Sequence, residues 1–197
     1  MRPDLELVAD LVAPGSRVLD LGCGDGELLA HLITRRRCGG TGIEADPAGF
    51  HGCVARGVPV RQADIDEGLG DFGDESYDVV ILSQTLQATR RPAAVLREMM
   101  RVGRTGIVSF PNFGHWRLRF DLLARGRMPV SSVLPYRWDE TPNIHLCTVR
   151  DFEALLRRED VRPVRRTLLD ERGSAVARTP RLRPNLLAAG AVYLLAR

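Results

Sequence analysis

Two acidic residues and a glycine-rich turn near the start of the sequence form its clearest ligand-binding pattern. Asp20 lies at the end of an apolar run, Gly22-Cys23-Gly24 follows, and Glu44 ends the next apolar run, 18 residues after Gly26. Because glycine has no Cβ, Gly22 and Gly24 let the backbone approach a ligand closely. A carboxylate at the end of the second strand can accept hydrogen bonds from both hydroxyls of a ribose. The spacing therefore predicts a nucleoside site rather than a plain tight turn.

The same turn differs from the loops that bind dinucleotides or triphosphates. The pattern G-x-G-x-x-G requires glycine where Glu27 stands, and no basic residue in the loop indicates a pyrophosphate site. All 28 basic residues are arginine. This excludes a Schiff-base lysine and the lysine of a phosphate loop, and the sequence also has no G-x-S-x-G nucleophile elbow. NAD and FAD are therefore disfavoured.

Cysteine spacing and hydropathy exclude two further classes of protein. The four cysteines form no C-x-x-C pair and no familiar zinc spacing, which predicts reduced, mostly buried thiols and no metal site. The uncharged stretch that includes residues 186–196 is well short of the roughly 20 apolar residues that cross a bilayer. Asp4, Glu6 and Asp10 interrupt the first apolar stretch, unlike a secretory signal. We therefore expect a cytoplasmic protein with no membrane partner.

Charge is distributed unevenly along the chain. Residues 1–100 carry a net charge of −6, and residues 101–197 carry a net charge of +9. A basic half can bind nucleic acid, but these arginines occur as separated pairs without an RNA-binding signature. A solvated face, or a patch for an acidic protein partner, is the favoured interpretation.

The elements that position these residues alternate between short β-rich runs and amphipathic stretches. Strands are predicted at residues 17–21, 41–44, 58–61, 77–82, 106–110, 161–169 and 187–195. Helices are predicted after an N-cap at Asp4, at residues 27–36 and 47–55, from Pro92 through Met100, and at residues 150–158. Asp46 and Asp66 are predicted as further helix caps. This order predicts one α/β domain over residues 1–197. Its sheet is mostly parallel and seven-stranded with helices on both faces, and its last two strands form an antiparallel hairpin at the edge.

Aromatic residues concentrate in one segment, residues 110–146. It holds six of the eleven in the chain, namely Phe110, Phe113, Trp116, Phe120, Tyr136 and Trp138, together with several arginines. Aromatic residues and arginine are enriched at the centres of protein interfaces. The composition predicts that this segment, the docking segment below, covers the pocket as a lid or docks a protein partner.

The sequence Asp20-Leu21-Gly22-Cys23-Gly24 resembles motif I of the class I S-adenosylmethionine-dependent methyltransferases. The resemblance implies a Rossmann-like class I fold that binds S-adenosyl-L-methionine or S-adenosyl-L-homocysteine. It implies that the loop holds the methionyl part, Glu44 the ribose, and Asp64 the adenine amine. The cofactor-binding residues expected in this way are Asp20, Gly22, Cys23, Gly24, Glu44, Ala45, Asp64, Ile65 and Ser83.

Six segments, spread over nearly the whole chain, resemble the methionine-biosynthesis protein MetW family. They are residues 1–5, 19–29, 83–87, 108–117, 126–131 and 141–147. Generic methyltransferases do not share the stretch 108–147, although Asp139 stands where the family usually has an aromatic residue. The resemblance implies an accessory subunit that acts with a MetX-like homoserine O-acyltransferase. The acyl chemistry would belong to that partner, since this chain lacks a nucleophile elbow.

The residues leave the existence of a methyl-acceptor site open. Ser83-Gln84-Thr85-Leu86 is not the Asn/Asp-Pro-Pro-aromatic tetrad of nucleobase amino-methyltransferases. His115 and His145 are candidate bases, but a structural role is favoured for each. The accessory subunit is therefore the leading hypothesis, a methyltransferase acting on a small molecule is its rival, and an RNA methyltransferase is a weaker third.

Overall fold

The computed structural model describes residues 1–132, 134–176 and 183–197. Residue 133 of the docking segment and residues 177–182 of the predicted single domain lie outside the described residues. The helices are α1 (Pro3–Leu11), α2 (Glu27–Arg36), α3 (Pro47–Ala55), α4 (Pro92–Val102), α5 (Trp116–Arg125), α6 (Val149–Arg158) and α7 (Pro184–Leu187). The strands are β1 (Arg17–Leu21), β2 (Gly39–Glu44), β3 (Val60–Gln62), β4 (Tyr77–Ser83), β5 (Gly103–Pro111), β6 (Arg162–Leu169) and β7 (Gly190–Ala196).

The described strands form one seven-stranded sheet in the order β3-β2-β1-β4-β5-β7-β6. The first five strands are parallel, whereas β7 runs antiparallel to both β5 and β6. The predicted mostly parallel sheet with an antiparallel hairpin at its edge is confirmed. Because β2 and β4 lie on opposite sides of β1, the strand order reverses there, and the carboxyl ends of β1 and β4 flank a crevice.

Buried side chains on both faces hold the central strands in place. In β1, Leu19 and Leu21 pack into the core on one face, and Val18 packs into the core on the other, each with no exposed surface. This alternation follows from the period of two along a strand. Truncating such a side chain to alanine typically costs about 2–5 kcal/mol of stability. Within the described residues, no helix is long and apolar enough to cross a membrane.

Several element boundaries differ from those that the sequence predicts. Strand β5 extends to both sides of the predicted residues 106–110, and β3 is shifted by one or two residues toward the C-terminus from the predicted residues 58–61. Strand β7 begins at Gly190 and not at the predicted residue 187, because residues 184–187 form the short helix α7. Helix α5 was not predicted. Among its residues only Leu118 is buried, so the helix lacks the apolar stripe toward the core from which amphipathic helices are recognised.

The prediction that Asp4 caps the first helix is wrong. Helix α1 begins at Pro3, whose fixed φ suits the first helical position, and Arg2 occupies the N-cap. Asp4 is buried within the first turn and accepts a hydrogen bond from Gln84 Nε2 at 2.8 Å. Its carboxylate also pairs with Arg2 Nε at 3.3 Å. This acid therefore ties α1 to the loop that follows β4.

Candidate functional site

Residues 22–26, the glycine loop, connect β1 to α2 in a conformation that requires glycine. Gly22, Gly24 and Gly26 have φ values of 71°, 57° and 77°, in the left-handed region that L side chains rarely adopt. A Cβ on Gly22 would lie 2.4 Å from Thr85 Cγ2, whereas a Cβ on Gly24 would meet no described atom within 4 Å. The loop is thus packed on one side and open to the cavity on the other.

Glu44, at the end of β2, binds the glycine loop through its side chain. Its Oε2 accepts a hydrogen bond from the Gly24 amide at 2.7 Å, and its Oε1 accepts one from the Asp46 amide at 2.9 Å. An ionised carboxylate has about four lone-pair sites, so these two bonds leave further acceptor capacity. Glu44 therefore sets the loop conformation and can still accept hydrogen bonds from ligand hydroxyls.

Asp20 is a buried acid with an unused hydrogen-bonding atom. Its residue is only 2% exposed, and its Oδ1 has no hydrogen-bond donor within the described residues. Burial, and then the negative charge of nearby Glu44, raise the pKa of Asp20 to about 7. A buried acceptor without a donor costs free energy. Its position fits a site that is completed by a donor group of a ligand.

A cavity of about 410 Å³ opens at the carboxyl ends of β1 and β4, where the strand order reverses. We call it the loop cavity, and its volume lies within the range of small-molecule sites. The residues that line it include Asp20, Gly22, Cys23, Gly24, Asp25, Glu27, Ser83, Gln84, Thr85, Gln87, Arg2, Tyr136, Pro142 and Asn143. In open α/β sheets, ligands bind in the crevice at such a switch point.

The structure places seven of the nine expected cofactor residues in two separate cavities, and Glu44 and Ala45 line neither of them. Five of the nine line the loop cavity, including Ser83, whose Oγ lies 3.1 Å from Ser109 Oγ. Asp64 and Ile65 line a separate cavity of about 290 Å³ beside Ile43. The Asp64 carboxylate pairs with Arg90 Nη2 at 2.5 Å, so that it already has a cationic partner. Ala45 is exposed next to Glu44.

The two acids predicted as helix caps have different roles. Asp46 is the N-cap of α3 and accepts a hydrogen bond from the Gly49 amide at 2.9 Å, which confirms its prediction. Asp66 does not cap a helix of its own. It accepts hydrogen bonds from the amides of Arg90 and Arg91 and so fixes the chain that enters α4. The residue that caps the short 3-10 helix at 65–67 is Asp64, whose side chain accepts from the Asp66 amide.

The thiol of Cys23 lines the loop cavity and lies 3.6 Å from the thiol of Cys53. Burial raises the pKa of both groups, which keeps them protonated and weakly nucleophilic at neutral pH. All four cysteines lie within the described residues; Cys38 and Cys53 are buried, whereas Cys23 and Cys147 are partly exposed. In that part of the chain, no three potential metal-ligating side chains form a cluster.

Gln84, Thr85 and Gln87 line the cavity but were not predicted as binding residues. Gln84 has a φ of 54°, which is uncommon for a residue other than glycine. Gln87 is 6% exposed, and its Oε1 has no donor among the described residues. Their position directly after the carboxyl end of a predicted parallel strand was the available signal, since site residues collect at that edge.

Neither candidate base lines the loop cavity in the described part of the chain. His115 is buried at the start of α5, and its Nδ1 lies 3.9 Å from Glu171 Oε1. Burial lowers the pKa of His115. His145 is exposed, and its backbone amide donates to the Gln87 carbonyl oxygen. Burial favours a structural role for His115, whereas the hydrogen bond of His145 to Gln87 involves its backbone and assigns no role to its exposed ring.

The docking segment exposes most of its large apolar side chains. Trp116, Phe120 and Trp138 are 46%, 62% and 73% exposed, respectively. Phe110, Leu118 and Leu134 are buried instead, and Phe110 packs in the core with its ring centroid 4.7 Å from that of Phe152. An apolar groove of about 160 Å³ includes Trp138 in its wall and is lined by Phe113, Met128, Pro129, Leu134, Tyr136, Trp138, Thr141, Asn143, Ile144 and Leu146. Exposed apolar surface of this kind marks interaction sites.

Sequence comparisons connect this architecture to proteins of methionine biosynthesis. The family model described as "Methionine biosynthesis protein MetW" matches residues 2–195. The "Bifunctional methionine biosynthesis protein MetXA/MetW" of Rhodopirellula baltica is 38% identical over 162 residues, which cover 78% of this chain and 26% of that protein. The "Ubiquinone biosynthesis O-methyltransferase" of Hahella chejuensis is 37% identical over 100 residues, or 47% of this chain and 41% of that protein. The chain therefore spans less than half the length of either relative.

Solved structures share the fold at low sequence identity. A SAM-dependent methyltransferase from Methanosarcina mazei aligns with a TM-score of 0.68 at 15% identity and covers 96% of this chain and 95% of its own. A second, from Thermotoga maritima, gives a TM-score of 0.67 at 18% identity over 98% of this chain and 87% of its own. The fold is thus the Rossmann-like fold of SAM-dependent methyltransferases, as the motif I resemblance implied. Together with the family match over residues 2–195, this shows that the chain belongs to the methionine biosynthesis protein MetW family.

Proposed function

We propose that this protein binds S-adenosyl-L-methionine or S-adenosyl-L-homocysteine in the loop cavity and assists a MetX-like homoserine O-acyltransferase. The reaction catalysed by such an acyltransferase forms O-acetyl- or O-succinylhomoserine. The observation that carries the partnership is the relative whose name joins MetXA and MetW in one bifunctional protein, with 78% of this chain aligned to it. We place the protein in the cytoplasm as part of this proposal.

The loop cavity fits the chemical groups of the nucleotide. Its unpartnered Asp20 oxygen would accept a hydrogen bond from the ammonium group, and the open side of Gly24 leaves room for the methionyl part. Glu44 does not line the cavity itself, but it binds the amide of Gly24 in its wall, and its unused acceptor capacity suits the ribose hydroxyls. Gly22 holds the loop against Thr85, and Cys23 and Ser83 complete the wall. When bound, S-adenosyl-L-methionine would supply a sulfonium-activated methyl group.

The adenine side of the proposed site requires one rearrangement. Asp64 and Ile65 line a cavity of their own, with Ala45 exposed nearby, and the Asp64 carboxylate is paired with Arg90. Because that ion pair is exposed, breaking it costs little. We propose that Asp64 exchanges Arg90 for the adenine amino group when the nucleotide binds.

The docking segment is the proposed contact with the acyltransferase. Its exposed aromatic side chains are of the type that anchors protein interfaces, and Arg117 stacks over Trp116 with its guanidinium carbon 5.4 Å from the ring centroid. In this proposal the segment binds the partner while the loop cavity binds the nucleotide. The two surfaces meet at Tyr136 and Asn143, which border both the cavity and the apolar groove.

The second candidate function is methyl transfer to a small molecule. A cavity of about 350 Å³ adjoins the loop cavity and shares Arg2, Gln84, Pro111 and Pro135 with it. This neighbouring space could place an acceptor beside a bound nucleotide, and methyl transfer depends mainly on such placement. A base is needed only when the acceptor must lose a proton.

Calorimetric titration of the purified protein with each nucleotide tests the binding half of the proposal. We expect saturable binding of at least one of the two, and competition between them if both bind. The partnership is tested by pulling the tagged protein from its native lysate and identifying both the bound protein and the bound small molecule by mass spectrometry. Recovery of a homoserine O-acyltransferase is the expected result. If neither nucleotide binds, or no acyltransferase is recovered, the corresponding half of the proposal is wrong.

A further inference from the structure

Gln87 presents a second buried acceptor in the wall of the loop cavity. Its Nε2 donates to the Gln84 carbonyl oxygen at 2.8 Å, which fixes the orientation of the side-chain amide. The reversed amide would place Oε1 against that carbonyl oxygen, and two acceptors repel. Oε1 is therefore the amide atom without a hydrogen-bond partner, since no donor within the described residues reaches it.

Buried side-chain oxygens are nearly always hydrogen-bonded in folded proteins. Among the described residues, the carboxylate of Asp20 and the amide of Gln87 each have such an oxygen without a donor, and both residues line the loop cavity. Two acceptors without donors in one wall match a ligand that presents N–H or O–H groups. A phosphate or carboxylate oxygen in direct contact with these two oxygens would be repelled.

The backbone of Gln87 is bonded to the edge of the cavity. Its carbonyl oxygen accepts hydrogen bonds from the amides of Ile144 and His145, both at 2.9 Å. Ile144 and His145 lie in the segment 141–146, which we call the roof segment. The roof segment borders the loop cavity through Pro142 and Asn143 and the apolar groove through Asn143 and Ile144. One residue thus joins the wall of the cavity to a segment of the exposed apolar surface.

We propose that Gln87 is a ligand-binding residue whose Oε1 accepts a hydrogen bond from an ammonium or hydroxyl group of the molecule in the loop cavity. When this bond forms, both polar atoms of the side-chain amide, Nε2 and Oε1, are hydrogen-bonded. The residue then moves less, and its backbone carbonyl holds the roof segment more firmly. Occupancy of the cavity is then transmitted to the apolar groove through Gln87. This inference rests on the proposed function, since it takes the bound molecule to be S-adenosylmethionine or S-adenosylhomocysteine.

The test uses Gln87→Met, which keeps the approximate length of the side chain and removes the acceptor. Gln62→Met, at an exposed position on β3 that does not line the loop cavity, makes the same chemical change and is the matched control. Calorimetry should show affinity for S-adenosylmethionine about 10-fold weaker in Gln87→Met and unchanged in Gln62→Met, as expected for loss of one hydrogen bond. Amide exchange followed by NMR should show that the nucleotide protects Ile144 and His145 in the wild type but not in Gln87→Met.

The outcomes separate this inference from the function on which it rests. If neither nucleotide binds the wild type, the proposed function fails, and the inference fails with it. If the wild type binds a nucleotide but Gln87→Met binds it equally well, with the same protection of Ile144 and His145, only the role of Gln87 is overturned. If Gln87→Met does not fold, NMR measurements on the wild-type protein alone test the inference. Binding must shift the side-chain amide resonance of Gln87 and slow exchange at Ile144 and His145, and the absence of both effects refutes the inference.

Discussion

Replacing Asp20 with asparagine should change how the stability of the protein depends on pH. In the folded state, burial and the charge of Glu44 raise the pKa of Asp20 from 3.8 to about 7. In the unfolded state, the carboxyl group loses its proton near its ordinary pKa. Between about pH 4 and pH 7 the folded state therefore binds more protons than the unfolded state. The contribution of Asp20 to the free energy of unfolding consequently falls as the pH rises through this interval.

The size of the effect follows from the distance between the two pKa values. At about 1.4 kcal/mol for each pH unit, the interval from 3.8 to about 7 corresponds to about 4 kcal/mol. The asparagine side chain of the variant has no proton to lose, so the variant should not show this decline. The difference in stability between Asp20→Asn and the wild type should be constant below pH 4, shift in favour of the variant by up to about 4 kcal/mol by pH 7, and then level off.

Urea denaturation followed by circular dichroism at a series of pH values measures this difference directly. Comparing the two proteins at each pH cancels the contributions of the other titrating groups. Parallel stability curves from pH 4 to pH 8 would show that Asp20 is not a buried acid with a raised pKa, and would refute the reasoning. The same variant should bind S-adenosylmethionine about 10-fold more weakly or worse, because hydrogen bonds to charged groups are worth about 1.5–3 kcal/mol.

Four further predictions concern the site and its partner. Glu44→Ala should weaken nucleotide binding by about 1.5–3 kcal/mol in calorimetry, and unchanged affinity would remove Glu44 from the site. Trp116→Ala or Trp138→Ala should weaken binding to the acyltransferase by about 2 kcal/mol or more if either is a buried anchor, with nucleotide affinity retained; two neutral variants would exclude both residues as anchors. Binding to the acyltransferase should depend only modestly on salt, whereas specific RNA binding that falls steeply with salt would favour a nucleic-acid partner. Cys23 should react slowly with a thiol reagent at pH 7, because burial raises its pKa, and rapid labelling would contradict this.

The sequence was most informative where one local rule determines the structure. Glycine was predicted to be needed in the loop after β1, and Gly22, Gly24 and Gly26 all adopt positive φ. Asp46 precedes Pro47 and caps α3 as predicted, because a cap depends on residues only a few positions apart. The central strands were recognisable because β-rich runs buried on both faces are nearly continuously apolar.

Features that depend on distant contacts could not be predicted from the sequence. The pairing of Asp64 with Arg90 and that of Asp4 with Gln84 join residues 26 and 80 positions apart. Helix α5 was missed because Trp116 and Phe120 face outward, which obscures the apolar periodicity toward the core.

The unpartnered oxygens of Asp20 and Gln87 also have no sequence signature. Whether a buried oxygen has a hydrogen-bond donor depends on the three-dimensional packing around it, so it cannot be predicted from residue types. The sequence did identify Asp20 as a site residue, through its position before the glycine loop. It did not distinguish Gln87 from the other polar residues that follow β4.

Initial-rate assays of the purified homoserine O-acyltransferase, with and without this protein, test most directly whether it acts as an accessory subunit. The acyltransferase is expected to be slow alone, to become faster when this protein is added, and to respond further to S-adenosylmethionine or S-adenosylhomocysteine. Such a response requires that the nucleotide bind one state of the complex more tightly than another. The contradicting result is an acyltransferase that is equally active without this protein, while the isolated protein transfers a methyl group from S-adenosylmethionine to a small acceptor.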